Sequence, residues 1–151
     1  MTVEKIYWDS ATFLAWFQED QGQFELCQST LDKAKNGEVI IVTSSLAIAE
    51  VLWLRGQQKI PKNKAEIVQK FFRRSYIRVV NVTRKLAHEA QDLVWDNDIN
   101  PKDAIHVATA ISLDVTAFET FDKKLLNKAG NIGTKNLIFR KPIAPIQGKL
   151  L

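Results

Sequence analysis

The sequence predicts a three-layer α/β/α fold with a central, mainly parallel sheet. Apolar runs of strand length alternate with helical patterns along the whole chain. The run at residues 39–42 is continuously apolar, which is typical of a strand that is buried on both faces. The chain has 151 residues, enough for one domain with a sizeable core. No repeat or linker divides it, so we expect one domain over residues 1–140 and an irregular tail over residues 141–151.

Each predicted element has a local signal. The first strand ends at Asp9, the second helix stops at Asn36-Gly37, and Asn100-Pro101 has the pattern of a helix N-cap and first turn. The predicted strands cover residues 5–8, 39–42, 77–82, 115–121 and 137–139. The predicted helices cover residues 11–17, 24–35, 45–54, 64–74, 83–95, 100–113 and 122–128, with a loop at 56–62.

Composition excludes several classes of protein. The hydrophobic fraction of 46% and the charged fraction of 25% are those of a globular chain rather than a disordered one. No stretch approaches the roughly 20 apolar residues of a membrane-spanning helix. Charged residues interrupt the N-terminal region, so we expect no signal peptide. Cys27 is the single cysteine and predicts a core side chain in a reducing, cytoplasmic environment.

Charge is distributed unevenly along the chain. Residues 1–50 carry eight acidic and three basic side chains, whereas residues 122–151 carry one acidic and seven basic side chains. A basic C-terminal part is compatible with RNA or DNA as a partner, but charge alone favours solvated lysines that serve solubility. The four tryptophans admit base stacking, although their apolar neighbours favour core packing for Trp8, Trp16, Trp53 and Trp95.

Four carboxylates stand out by their positions. Asp9 and Asp122 each follow a strand, and Asp103 lies near the third position of a helix, so each also suits helix capping. Glu50 is flanked at helical spacing only by apolar residues, and this predicts a largely buried helix. Because an unpaired buried carboxylate is costly, Glu50 needs a cation from elsewhere in the fold or from a metal.

A shared edge of the sheet is the expected meeting point of these carboxylates. The carboxyl ends of parallel strands open on one edge, where ligands usually bind. Four carboxylates there would repel one another unless divalent cations neutralised them. An all-oxygen ligand set favours Mg²⁺ or Mn²⁺ over Zn²⁺. His106 shares a helix face with Asp103, and we expect it to pack beside this edge or to orient a carboxylate through a hydrogen bond.

The segments that carry these carboxylates resemble the PIN-domain family, and most closely its VapC-type toxins of toxin–antitoxin pairs. They are IYWDS at 6–10, SLAIAEVL at 45–52, DAIHVATA at 103–110 and TFD at 120–122. The spacings of 41, 53 and 19 positions between Asp9, Glu50, Asp103 and Asp122 fit the family pattern.

The resemblance implies a function and a set of partners. It implies a Mg²⁺- or Mn²⁺-dependent endoribonuclease that cleaves single-stranded or structured RNA through a metal-activated water. Asp9, Glu50, Asp103 and Asp122 would form the catalytic, metal-binding site, with Ser10 and Thr120 in support. It also implies a homodimer and, as a partner, a cognate antitoxin.

Two alternatives stay open at the level of sequence. Many family members have Asn two places after the first Asp, where this chain has Ala11, and this departure leaves room for a non-catalytic module that binds RNA or protein. The four intact carboxylates argue against that alternative, because they repel phosphate unless a metal intervenes. The same hydrolytic chemistry also serves DNA, since it does not require the 2′-hydroxyl of RNA.

Overall fold

A five-stranded, fully parallel sheet forms the centre of the computed structural model, which describes residues 3–53, 59–128, 132 and 137–143. The strand order is β3-β2-β1-β4-β5, so the first strand is central. The strands are β1 (Glu4–Trp8), β2 (Val39–Ser44), β3 (Ile77–Val80), β4 (Ala117–Glu119) and β5 (Ile138–Arg140). Every strand pair is parallel, which confirms the predicted sheet.

Helices cover both faces of this sheet. They are α1 (Ser10–Phe17), α2 (Phe24–Lys35), α3 (Leu46–Glu50), α4 (Lys62–Phe71), α5 (Arg84–Asn97), α6 (Pro101–Ser112) and α7 (Lys123–Leu126). Successive side chains of β1 point to opposite faces, so Ile6 and Trp8 pack with Phe13 of α1, whereas Tyr7 packs with Val107 of α6. Two separate apolar cores result, and together they confirm the three-layer α/β/α prediction.

Several predicted elements are shorter than expected. The helix predicted over residues 45–54 ends at Glu50, and the strand predicted over 115–121 covers only Ala117–Glu119. An apolar run alone does not show where hydrogen bonding stops, which explains both errors. Residue 54 of the predicted helix, residues 56–58 of the predicted loop and residues 144–151 of the predicted tail lie outside the described part of the chain.

Core packing was predicted for four tryptophans and is wrong for two of them. Trp8 is fully buried, and Trp16 packs against the first core. Trp53 is 65% exposed and Trp95 is 69% exposed, because α3 ends before Trp53 and α5 turns Trp95 away from the sheet. Within the described residues, no helix has the length and apolar character needed to cross a membrane.

Candidate active site

Asp9 lies at the end of the central strand and is 4% exposed. Its Oδ1 accepts hydrogen bonds from the backbone N–H and the hydroxyl of Thr12, at 3.1 and 2.9 Å, so Asp9 caps α1 as the local sequence allowed. Its Oδ2 accepts a hydrogen bond from the Thr120 hydroxyl at 2.6 Å. Burial raises the pKa of Asp9, although the hydrogen bond from Thr120 and the proximity of His106 oppose this shift.

Thr120 connects Asp9 to the next carboxylate. The same hydroxyl oxygen that donates to Asp9 accepts a hydrogen bond from the backbone N–H of Asp122 at 3.0 Å. Asp122 in turn caps α7, because its Oδ1 accepts from the backbone N–H groups of Lys124 and Leu125 at 2.8 and 3.4 Å. The carboxyl ends of β1 and β4 are therefore tied together through one buried threonine hydroxyl.

Glu50 is at the end of α3, and its side chain is 21% exposed. Its Oε1 accepts a hydrogen bond from the Ser10 hydroxyl at 2.5 Å and lies 2.8 Å from Nε2 of His106. Burial alone would raise the pKa of Glu50, but the hydrogen bonds from His106 and Ser10 outweigh it and lower that pKa. The predicted largely buried helix is wrong, since Ile48 and Ala49 are exposed.

Asp103 belongs to the first turn of α6. Asn100 caps this helix through its Oδ1, which accepts from the backbone N–H of Asp103 at 3.0 Å. The Nδ2 of Asn100 donates to Oδ2 of Asp103 at 2.6 Å. Burial raises the pKa of Asp103, and the negative charges of Asp122 and Asp9 raise it further. Asp9 and Asp122, which come from two other elements, are thus close enough to disfavour the ionisation of Asp103.

The donor set suits a hard divalent cation in chemistry and in charge. All four side chains offer carboxylate oxygens, and the repulsion that raises the pKa of Asp103 is one that a bound cation would relieve. In the described part of the chain, no three Asp, Glu, His or Cys side chains already converge as a preformed metal-binding group. The Asp122 carboxylate is held in place by the hydrogen bond that it accepts from the backbone of α7. The Asp103 carboxylate is held by the hydrogen bond that it accepts from Asn100.

The Ser10, His106 and Glu50 side chains do not form the triad of a serine hydrolase. In such a triad, the serine and the acid contact different nitrogens of the imidazole. Here Ser10 Oγ and Glu50 Oε1 both approach Nε2 of His106, at 3.3 and 2.8 Å. Nδ1 of His106 lies 2.6 Å from the Tyr7 hydroxyl instead. The arrangement is suited to holding a carboxylate rather than to activating a serine.

Sequence reasoning missed two residues of this site, Thr12 and Tyr7. Thr12 was not singled out, although a threonine three places after an N-cap aspartate is a signal for the observed bonds. The sequence indicates Tyr7 only as part of the first strand. Its alternation with the apolar Ile6 and Trp8 places it on the α6 face, where it meets His106. His106 itself hydrogen-bonds a carboxylate, as expected.

Comparisons with known proteins agree with this architecture. Three solved structures resemble the chain in fold at low sequence identity. VapC20 of Mycobacterium tuberculosis, a toxin that cleaves the sarcin-ricin loop, is 16% identical with a TM-score of 0.64, over 85% of this chain and 98% of that one. A toxin–antitoxin complex from Klebsiella pneumoniae is 20% identical with a TM-score of 0.59, over 93% and 99%. FitAB bound to the IR36 DNA fragment is 16% identical with a TM-score of 0.57, over 95% and 99%.

Sequence comparison supplies the family. No curated protein matches the chain significantly. The family model described as "PIN domain" matches residues 6–131, which is most of the chain and includes all four carboxylates. The chain therefore belongs to the PIN domain family.

Proposed function

We propose that this protein is a Mg²⁺- or Mn²⁺-dependent endoribonuclease and the toxin of a toxin–antitoxin pair. One observation carries the proposal. At the end of β1, Asp9 accepts a hydrogen bond from Thr120, whose hydroxyl in turn accepts one from the backbone N–H of Asp122. The next residue, Ser10, donates a hydrogen bond to Glu50 of α3. These hydrogen bonds connect the positions of carboxylates that are distant in sequence, and they support a shared site at the edge of a parallel sheet where ligands usually bind.

A divalent cation would be held by Asp9, Glu50, Asp103 and Asp122. When bound, it would supply an activated water and neutralise the charge that develops on the phosphate. Ser10 would orient Glu50 through its 2.5 Å hydrogen bond, and Thr120 would orient Asp9. These hydrogen bonds fix the carboxylates before substrate arrives, which reduces the reorganisation needed for reaction.

Exposed lysines border the carboxylates and would contact the RNA backbone. Lys123 and Lys124 directly follow Asp122, and Lys102 precedes Asp103 and lowers the pKa of Glu50 through its charge. Carboxylates repel phosphate, so the strand needs both a metal and flanking cations to reach the site.

The fold relatives support the choice of partner. One is a toxin that cleaves the sarcin-ricin loop, and another is a toxin–antitoxin complex. We extend both properties to this chain as proposals, together with a homodimeric state and a cytoplasmic location. The FitAB structure contains DNA, so DNA as the substrate is tested alongside RNA.

The test uses Asp103→Asn, which keeps the size of the side chain and removes one charge. We expect cleavage of a labelled single-stranded RNA in Mg²⁺ or Mn²⁺ to be lost, while binding of the same RNA at low salt is retained or improved. Asp114→Asn is the matched control, since Asp114 is exposed beyond the other end of α6. It should cleave like the wild type.

Two outcomes would overturn the proposal. A wild type that binds RNA with a clear salt dependence but cleaves no RNA with either metal would be a binding module. A wild type that cleaves single-stranded DNA of the same sequence faster than the RNA would be a DNA-directed nuclease.

A further inference from the structure

A continuous line of hydrogen bonds leads from the interior of the sheet to Glu50. Tyr7 is fully buried on the α6 face of β1, where its ring stacks on Phe118 with centroids 4.8 Å apart. Its hydroxyl lies 2.6 Å from Nδ1 of His106, which is 2% exposed. Nε2 of His106 then lies 2.8 Å from Oε1 of Glu50. The line of hydrogen bonds therefore begins in an apolar core and ends at the carboxylate edge, the edge of the sheet at which Asp9, Glu50, Asp103 and Asp122 are proposed to bind a cation.

The contacts around Tyr7 and His106 define which atom donates at each step. A carboxylate only accepts hydrogen bonds, so Nε2 of His106, which lies 2.8 Å from Oε1 of Glu50, carries a hydrogen that it donates to Glu50. In a neutral imidazole Nδ1 then has no hydrogen and accepts the one on the Tyr7 hydroxyl, 2.6 Å away.

Glu50 is held through one oxygen only. Ser10 and His106 both contact Oε1, and Oε2 accepts no hydrogen bond from the described residues. The carboxylate is therefore fixed in rotation while one oxygen is left for a ligand. Buried polar side chains are costly in an apolar core unless they are fully paired, so filling this space with a tyrosine and a histidine needs a reason beyond packing.

We propose that Tyr7 and His106 are a positioning pair for Glu50: Tyr7 fixes the imidazole with its N–H at Nε2, and that N–H aims the Glu50 carboxylate for cation binding. The proposal rests on the function proposed above, because it assigns a role within the same site. His106 acts through Glu50 and contacts neither metal nor substrate. Removing a residue that hydrogen-bonds a metal ligand commonly weakens metal affinity by about 10- to 100-fold.

The first experiment observes the imidazole directly, without metal or RNA. The chain has two histidines, so His88→Gln leaves His106 as the single imidazole in a long-range ¹H–¹⁵N spectrum. At about pH 8.5 we expect the ring hydrogen on Nε2, facing Glu50. Adding Tyr7→Phe should shift the Nδ1 resonance of His106, because that nitrogen loses its hydrogen-bond donor. Tyr76→Phe, which removes the other tyrosine hydroxyl of the chain, should leave the spectrum unchanged.

The second experiment separates positioning from packing. His106→Gln keeps an N–H donor near the position of Nε2, whereas His106→Leu fills the space without one. We expect His106→Leu to weaken Mn²⁺ binding, measured by calorimetry, by about 10- to 100-fold, and His106→Gln to recover most of the loss. His88→Leu, at an exposed position of α5, is the matched control and should bind Mn²⁺ like the wild type.

The outcomes distinguish this inference from the proposed function. If the wild type binds Mn²⁺ and cleaves RNA, and His106→Leu binds Mn²⁺ equally well, the positioning pair is wrong and the nuclease proposal stands. If the wild type binds no Mn²⁺ and cleaves no RNA, the function fails first, and the role of the pair fails with it. If His106→Leu does not fold by circular dichroism, Tyr7→Phe decides: unchanged Mn²⁺ affinity and an unchanged Nδ1 resonance of His106 overturn the inference.

Discussion

The hydroxyl of Thr120 donates to Oδ2 of Asp9 across a distance of 2.6 Å, and both residues are buried. The bond joins the carboxyl ends of β4 and β1, which are neighbours in the sheet. It also selects the orientation of the Asp9 carboxylate, because the other oxygen is held by Thr12. A carboxylate fixed by three hydrogen bonds tolerates burial that an unpaired one would not.

Thr120→Val is predicted to destabilise the protein. The substitution keeps the shape of the side chain but removes a donor from Asp9 and an acceptor from the backbone of Asp122. We expect the free energy of unfolding to fall by about 1–3 kcal/mol, measured by urea denaturation at neutral pH. Thr116→Val, at an exposed position before β4, should change it by less than about 0.5 kcal/mol. Equal stabilities for the two variants would contradict the assigned role of the Thr120 hydroxyl.

Asp9→Asn is predicted to stabilise the metal-free protein increasingly as pH rises. Burial raises the pKa of Asp9 in the folded state, so its contribution to stability is fully present below the unfolded pKa of about 4 and is lost as pH rises through the folded pKa. Asparagine does not titrate and avoids this loss. The Tm difference between variant and wild type, measured in a chelator from about pH 4.5 to about pH 8, should therefore grow with pH. A constant difference would show that Asp9 has an ordinary pKa.

Addition of Mn²⁺ is predicted to reverse that order. A ligand that binds only the folded state stabilises it by about 2.7 kcal/mol at 100 times its dissociation constant. The wild type should gain in Tm with millimolar Mn²⁺, and Asp9→Asn should gain much less because it lacks a proposed ligand. Asp114→Asn should respond like the wild type. Equal gains for all three proteins would place the bound metal away from Asp9.

Much of the fold and three of the four carboxylate positions follow from local sequence. Asp9 and Asp122 come directly after strands, and parallel strands bring their carboxyl ends to one edge whatever the rest of the chain does. Asp103 follows from the Asn100 cap. The partner of Glu50 does not follow, because His106 is 56 positions away and the contact depends on how α3 and α6 pack on the sheet.

A second buried carboxylate was not predicted at all. Glu119 is 1% exposed, and its Oε1 accepts hydrogen bonds from Trp8 Nε1 and Thr30 Oγ1, both at 2.8 Å. Its Oε2 accepts from the guanidinium of Arg140 at 3.2 and 3.3 Å, directly across the β4–β5 pair. Glu119 is the last residue of β4, and the local sequence does not indicate that it is buried, because its hydrogen-bond partners lie on β1, α2 and β5.

Arg140→Leu is predicted to destabilise the fold through this ion pair. The substitution leaves the Glu119 carboxylate buried without its cation. Because Arg140 is itself one-third exposed, water screens the pair, and we expect a loss of about 2 kcal/mol rather than the 3–5 kcal/mol of a fully buried one. Arg78→Leu, at an exposed position of β3, is the control for loss of a strand arginine and should have a small effect. Similar unfolding curves for both variants would contradict the importance of the pair.

The double substitution Lys123→Gln/Lys124→Gln is predicted to weaken RNA binding without removing cleavage. Both lysines are exposed in the first turn of α7, next to Asp122, where they would contact phosphates that approach the carboxylates. For single strands the logarithm of the binding constant falls with the logarithm of salt by about 0.7 for each phosphate contact. Loss of two contacts should therefore reduce the slope by about 1.4.

The control for this prediction has the same change in net charge at the opposite edge of the sheet. Lys33 and Lys35 are exposed at the end of α2, just before the amino end of β2. Lys33→Gln/Lys35→Gln should keep the wild-type salt slope if RNA lies along the carboxylate edge. The rate of cleavage at saturating RNA should survive both double substitutions, because no lysine is assigned to the metal site, whereas Asp103→Asn should lose cleavage and keep its slope. A slope that falls equally in the two lysine variants would mean that RNA is attracted by net charge alone, and the strand would then have no defined path past Asp122.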